Sequence, residues 1–130
     1  MTKSKIKYED VTSDIAVEAY NSTQPIFVGI LKEVRELSKK KPEATISTGK
    51  VKIINRVLSD LLVFLKDEPS GKYLEELDNE ALPQLSDAVL TMVQFETALK
   101  AFRDKYYKKI GDGIYGEWHW ITKELLASWK

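Results

Sequence analysis

Apolar side chains recur at steps of three and four residues along most of this chain, and this spacing limits the fold more than any other feature. Residues at such steps lie on one face of an α-helix. The longest stripe consists of Ile15, Ala16, Ala19, Tyr20, Thr23, Ile26, Phe27, Ile30, Leu31, Val34 and Leu37. No segment gives the alternating apolar and polar pattern that indicates a strand. The spacing therefore predicts an all-α fold.

The first helix is expected to run from about Val11 to Lys40, with a proline inside it. Pro25 donates no N–H, and its ring clashes with the preceding turn, so it kinks or breaks a helix. The stripe nevertheless keeps its phase across Pro25, which two unrelated helices would have no reason to do. We predict one long helix kinked near residues 21–25, with two collinear helices as the alternative. Ser13 or Thr12 can cap its start.

The remaining helices follow from the same spacing. The second is expected at about Lys50–Lys66, and a loop with one short acidic helix near 71–77 is expected at 67–84. The third helix is predicted from about Pro83 to Lys109. The closing helix is predicted from about Glu117 to Ser128, after the glycines of the sequence GDG. These elements predict an up-and-down type bundle of four to five helices, with the C-terminal helix packed back on the bundle.

The length and composition suit one globular domain. We expect residues 1–130 to form a single helical domain, in which residues 1–10 could be a disordered arm. The absence of cysteine excludes disulfides, thiolate zinc sites and cysteine nucleophiles. The basic start lacks the apolar region of a secretory signal, and the apolar runs are too short to cross a bilayer. We therefore expect a soluble, cytoplasmic protein without a membrane partner.

The formal net charge is zero, but the charges are segregated along the chain. Residues 1–52 carry ten Lys and Arg against seven Asp and Glu, a net +3. Residues 53–98 carry three against nine, a net −6, and residues 99–130 carry seven against four, again +3. Nucleic-acid-binding domains usually show a basic excess overall. Solvated helix faces, or docking between acidic and basic regions, explain this distribution better than nucleic-acid binding does.

The residues give no constellation typical of catalysis or of a cofactor site. His119 is the only histidine, whereas zinc and di-iron sites need several ligands of this kind. The segment STGK at 47–50 matches part of a phosphate-binding loop, but Val51 stands where that loop requires Ser or Thr, and no strand precedes it. Ser47 and Thr48 are better explained as helix caps. We therefore expect a non-enzymatic protein without a metal or a cofactor.

Two charged residues fall within the apolar stripe of the third helix. Helical phasing places Glu96 and Arg103 inside that stripe or at its margin, two turns apart. Boundary side chains often pack their stems while their charged ends reach water, and this is the simpler interpretation. The functional alternative is a polar pocket or a charged docking site between helices.

A basic and aromatic cluster ends the third helix. Lys105, Tyr107, Lys108 and Lys109 interleave cations with a ring that could stack on a base, as in proteins that bind single strands. The lysines at 39–41 could extend such a surface. The same pattern arises when cations complement the C-terminal end of a helix dipole, which is the interpretation we favour.

The segment EWHWITKELLASWK has a distinct apolar face if it is helical. In that phase Trp118, Ile121, Leu125 and Trp129 share one face and are expected to fasten the tail to the core. Trp120 then lies on the polar face, with His119 at its margin and Lys123 beside it. We predict a partner-binding patch of Trp120, His119 and Lys123, because aromatic residues are enriched where partners dock. The alternative is that the first helix or the loop 67–84 covers Trp120.

These observations favour a helical protein–protein interaction module of regulatory, immunity or assembly type, as found in bacteria and phages, whose partner could be a second copy of itself. The alternative is a small helical nucleic-acid-binding subunit that uses the basic and aromatic end of the third helix. A third hypothesis is an enzyme or ligand binder with a pocket of Glu96, Arg103 and His119. It requires those three side chains to lie together.

Overall fold

The computed structural model describes residues 9–129, which are mostly helical and include one small sheet. The expected arm at 1–10 therefore lies largely outside the described residues. The elements are α1 (Asp14–Lys40), α2 (Thr48–Leu65), α3 (Leu85–Tyr106), β1 (Tyr107–Ile110), β2 (Glu117–Trp120) and α4 (Lys123–Ser128). In this part of the chain, no helix has the length and apolar character needed to traverse a bilayer.

The first helix is continuous through its proline. It spans Asp14–Lys40 with Pro25 inside, so the alternative of two separate helices is wrong. Ser13 caps its start, because the hydroxyl accepts a hydrogen bond from the Ala16 N–H at 3.1 Å. The kink itself stays a prediction. The helix supplies the longest wall of the core.

The core lies where α1 packs against both α2 and α3. Large, fully buried side chains on these helices include Phe27, Leu31, Leu58, Leu61, Phe95 and Phe102. Ser47 caps α2 by accepting a hydrogen bond from the Lys50 N–H at 3.2 Å. The three long helices predicted from the apolar spacing are therefore confirmed. Three stripe positions are exceptions, because Ile15, Ile26 and Ile53 are exposed.

The expected acidic helix at 71–77 is absent from the described chain. A single 3-10 turn, Pro69–Gly71, follows α2, and the chain then runs without helix to α3. The side chain of Asn55 holds this segment in place. Its amide donates to the Leu77 carbonyl and its carbonyl accepts from the Leu77 N–H, both at 2.8 Å. This pairing satisfies main-chain groups of Leu77 that a helix would have paired internally.

The C-terminal region differs most from expectation. The third helix ends at Tyr106 rather than near Lys109, and residues 107–110 pair antiparallel with 117–120 as a hairpin. The expected helix over 117–128 and the absence of strands are therefore both wrong. The glycine-rich turn makes the hairpin possible, since Gly111 and Gly113 have φ of 100° and 56°. Within this tail only Lys123–Ser128 is an α-helix, capped by Thr122.

The segment before α1 is tied to the segment before α4. The Thr12 N–H donates to the Ile121 carbonyl at 3.0 Å, and the Lys123 N–H donates to the Thr12 carbonyl at 3.0 Å. Thr12 and Thr122 thus form a parallel bridge. The Ile121 N–H also donates to the Tyr106 carbonyl at 2.7 Å. These bonds fix the hairpin against both α1 and α3.

Candidate functional site

The hairpin reverses the predicted roles of two tryptophans. Side chains two apart on a strand point to the same face, so Trp118 and Trp120 lie on one side of β2. Trp118, expected in the core, is 56% exposed, while Trp120, expected on the polar face, is partly buried against the core. The helical phasing was wrong because the period in this segment is two rather than 3.6.

The indole of Trp120 joins an aromatic cluster at the edge of the core. Its ring centroid lies 5.0 Å from that of Tyr20, 5.8 Å from that of Phe102 and 5.1 Å from that of Tyr107. The first helix therefore covers Trp120 through Tyr20, which is one of the two alternatives to an open docking residue. Trp120 has less free surface for a partner than Trp118.

The other predicted tail anchors differ in burial, and the predicted docking residues do not all line one cleft. Ile121 is fully buried, as expected, whereas Leu125 and Trp129 are only partly buried.

His119 lies on the opposite face of the strand from Trp120, with its Nε2 3.4 Å from a Glu117 carboxylate oxygen. Lys123 is exposed at the start of α4. Trp120 and His119 border a cleft of about 280 Å³ beside α1, but Lys123 does not line it.

Glu96 and Arg103 do share a surface cleft, of about 300 Å³ between α1 and α3. Glu96 and Arg103 each contact another side chain. The Glu96 carboxylate pairs with the Arg35 guanidinium at 3.1 Å, and the Arg103 guanidinium lies 5.1 Å from the centroid of the Tyr107 ring. His119 lines a different cleft. The pocket of Glu96, Arg103 and His119 required by the third hypothesis is therefore not assembled.

The residues of the predicted basic surface do not lie together in the structure. The Lys105 ammonium lies 3.6 Å from a Glu68 carboxylate oxygen and 4.0 Å from an Asp10 oxygen. Lys108 and Lys109 are adjacent on β1, so they point to opposite faces of the hairpin. The lysines at 39–41 lie at the end of α1, where Lys39 pairs with Glu36 at 3.2 Å. Of the predicted cluster, Tyr107 and Lys109 are the members on the face that carries the tryptophans.

On that face of the hairpin, Tyr107 and Trp118 lie beside Arg103 of α3. We call these three residues the aromatic shelf. The Tyr107 and Trp118 rings stack across the strands, with centroids 5.4 Å apart and planes 21° apart. Both border a cleft of about 370 Å³ with Arg103 and Asp104. The Lys100 ammonium donates to Asp104 at 2.6 Å, and this bond lowers the pKa of that carboxyl. Arg103 has no carboxylate partner at salt-bridge distance in residues 9–129.

An apolar depression lies elsewhere, between α1 and α2, and sequence reasoning missed it. This α1–α2 groove has a volume of about 440 Å³. It is lined by Pro25, Ile26, Gly29, Ile30, Glu33, Val34, Leu37, Ile46, Lys50, Ile53 and Ile54. Ile26 is 56% and Ile53 51% exposed, although both belong to the stripes expected to be buried. The sequence offers no signal of the groove, because Ile26 and Ile53 have the spacing of core residues.

Three further lining residues give the groove its character. Glu33 comes from α1 and Lys50 from α2, both are exposed, and neither forms an ion pair with any residue in 9–129. Gly29 lies in the middle of α1, and a Cβ placed on it would meet no atom within 4 Å. The groove thus has an apolar floor, one acid and one base at its margin, and open space above a glycine.

The arrangement defines a mostly helical protein with a small hairpin and an open apolar groove between two helices. Nowhere in residues 9–129 do three or more acidic or histidine side chains gather as metal ligands would. No protein-family model matches the chain, and neither a curated protein nor a solved structure is significantly similar to it. Any function must therefore be argued from these surfaces.

Proposed function

We propose that this protein is a non-enzymatic protein–protein interaction module, built on an up-and-down bundle of its three long helices. One observation carries the proposal: the α1–α2 groove leaves apolar side chains open between two long helices. Ile26 and Ile53 are more than half exposed there, at 56% and 51%. Exposed apolar surface gathered in a depression is typical of sites where partners dock.

The shape of the groove favours an α-helix as its occupant. A groove between two packed helices accepts a third helix, because ridges of side chains on one helix fit the grooves of another. Helix-in-groove recognition uses apolar anchors at i, i+3, i+4 and i+7. The lining offers an apolar floor for such anchors, while Glu33 and Lys50 stand at its margin to set orientation.

The test uses amphipathic helical peptides, displayed as a library, against the whole chain. Peptides selected on the wild type should lose binding to Ile53→Asp by at least about tenfold, because a carboxylate in the groove must be desolvated. Val63→Asp is the matched control, since Val63 is also on α2 and 65% exposed but does not line the groove. If no peptide is selected, or if both variants bind equally well, the groove is not a docking site.

A second candidate function, nucleic-acid binding, is favoured by the aromatic shelf. A tryptophan that is 56% exposed and stacked on Tyr107 offers one open face to a base, and Arg103 supplies a cation beside it. Fluorescence anisotropy with a labelled single-stranded oligonucleotide tests this. Binding should weaken with Trp118→Ala, survive Tyr115→Ala in the adjoining turn, and fall with added salt. No binding at about 50 mM salt would falsify it.

A further inference from the structure

We infer that the occupant of the α1–α2 groove is a second copy of this chain, related to the first by a two-fold axis parallel to the helices. The inference rests on the proposed function, since it names the partner of the same groove. In this arrangement α1 of each copy lies over α2 of the other, and the two helix pairs form a four-helix interface. Most homodimers are isologous in this way, with one surface patch meeting itself.

The charges at the margin of the groove favour this partner. Glu33 is on α1 and Lys50 is on α2, and both line the same groove. A two-fold axis parallel to the helices brings each α1 against the partner's α2, so a contact between Glu33 and Lys50 occurs twice in one dimer. A two-fold axis across the helices would instead place α1 against α1, so Glu33 would face the partner's α1 and not Lys50 on its α2. Opposite charges therefore meet across the interface when the axis is parallel to the helices.

The two side chains are also available for such contacts. Neither Glu33 nor Lys50 has an ion-pair partner among residues 9–129, although Glu36 and Lys39 on the same α1 pair with each other. An acid and a base that line one groove without pairing inside the described chain can each pair with a facing copy.

Gly29 gives an independent argument for close approach by another helix. A glycine inside a helix is less stable than alanine by roughly 0.5–1 kcal/mol. Within residues 9–129 nothing requires this glycine, because a Cβ there would meet no atom within 4 Å. Gly49 in α2 has open space as well, but Gly29 lines the groove, where a small residue lets a facing helix approach. The same approach would cover Ile26 and Ile53 in both copies.

Sedimentation equilibrium of the whole chain tests the inference. The wild type should dimerise with a dissociation constant below about 100 µM. Glu33→Lys alone and Lys50→Glu alone should each weaken the dimer by about tenfold, because each turns two attractive contacts into repulsive ones. An equimolar mixture of the two variants should recover dimer mass, since both contacts of the mixed dimer would again join an acid to a base. Lys52→Glu is the control, because Lys52 is exposed on α2 outside the groove.

Gly29→Gln separates association from folding. Glutamine favours a helix more than glycine does, so the melting temperature should stay equal or rise when it is measured well below the dissociation constant, where both proteins are monomeric. Dimerisation should nevertheless fall by at least about tenfold, because the side chain fills the space above the groove.

The outcomes distinguish the inference from the proposed function. A wild type that stays monomeric while selected peptides still bind overturns self-association and leaves the docking role of the groove standing. A dimer that survives both Ile53→Asp and Gly29→Gln uses another surface, and this overturns the inference. Failure of the mixed charge variants to recover dimer mass overturns the two-fold arrangement proposed here.

Discussion

The indole of Trp120 packs against the phenol ring of Tyr20, with 5.0 Å between the two ring centroids. This contact joins the hairpin, made from residues near the C-terminal end of the described chain, to the first half of α1. Phe102 and Phe64 complete the cluster around Tyr20, at 5.8 and 6.3 Å. Burial raises the pKa of the Tyr20 phenol, which agrees with its position inside this cluster.

Truncation of the two hairpin tryptophans should have unequal effects on stability. Trp120→Ala removes contacts with three aromatic rings and should lower the free energy of unfolding by about 3 kcal/mol. Trp118→Ala loses one stacking partner on an exposed face and should cost about 1 kcal/mol or less. Urea unfolding followed by far-UV circular dichroism measures both. Equal losses would show that the aromatic cluster does not anchor the hairpin.

The hydroxyl of Tyr106 should contribute to stability through one carboxylate. It donates to the two oxygens of Glu68 at 2.8 and 3.0 Å, and Glu68 is largely enclosed. Tyr106→Phe keeps the ring against Phe102 but loses this charge-assisted bond, at a cost of about 2 kcal/mol. Tyr115→Phe is the control, because Tyr115 is 87% exposed, and its unfolding curve should match that of the wild type.

The same phenol should make stability fall at alkaline pH. Burial and the Glu68 carboxylate raise the pKa of Tyr106 well above its ordinary value of about 10. Because the folded state holds the proton more tightly, its contribution is complete below the unfolded pKa and is lost as pH rises above about 10. Denaturant unfolding at several pH values should show this decline, and Tyr106→Phe should show a shallower one. If the free energy of unfolding falls equally with rising pH in the wild type and in Tyr106→Phe, other groups cause the alkaline sensitivity.

Gly71 should not tolerate a side chain. It is buried in the 3-10 turn after α2, and an added Cβ would coincide with the main-chain carbonyl of Leu65. Since backbone must move to make room, Gly71→Ala should lower the free energy of unfolding by about 3 kcal/mol or more. Gly49→Ala in α2 meets no atom within 4 Å and should instead stabilise by about 0.5 kcal/mol. Thermal unfolding of both variants checks the contrast.

The side chain of Asn55 should be needed to hold the segment between α2 and α3. Asn55→Ala leaves the N–H and the carbonyl of Leu77 without their partners, and should cost about 2 kcal/mol. Limited proteolysis should then cut near Leu77 much faster. Asn79→Ala changes an exposed amide in the same segment and should alter neither measurement. If Asn55→Ala is cut no faster than the wild type, the burial of Leu77 alone holds this segment in place.

The long helices could be predicted because their signals are local. The apolar spacing indicated the extent of α1 through Pro25, and Ser13 and Ser47 cap α1 and α2 as their side chains allow. Each of these signals depends on residues within one or two turns. Sequence reasoning is strongest for such elements.

The hairpin could not be recognised from spacing, because four residues are too few for a period. Tyr106 and Ile110 follow Phe102 at steps of four, so they continue the helical stripe although the helix ends at Tyr106. Strand pairing is decided by the partner, and residues 117–120 lie beyond the turn. The glycine-rich turn at 111–116, flanked by aromatic residues, was the one signal of a hairpin.

The α1–α2 groove could not be predicted for a different reason. An apolar stripe shows which side chains share a face, but not whether a neighbour covers that face. Ile26 and Ile53 have the spacing of core residues and are still about half exposed, because no residue of α3 lines the groove between α1 and α2.

The bridge between Thr12 and Thr122 has a consequence for the order in which the molecule is assembled during synthesis. The main-chain bonds of Thr12 are made with Ile121 and Lys123, and the Asp14 N–H donates to the Glu124 carboxylate at 3.2 Å. The start of α1 leaves the ribosome long before these partners do. The first helix can therefore coil early with its own Ser13 cap, but the main-chain groups of Thr12 and the Asp14 N–H find their partners only after residue 124 has been translated. A ribosome-bound chain stalled before Ile121 would carry a capped α1 in which the Thr12 and Asp14 N–H groups are still open to exchange with water.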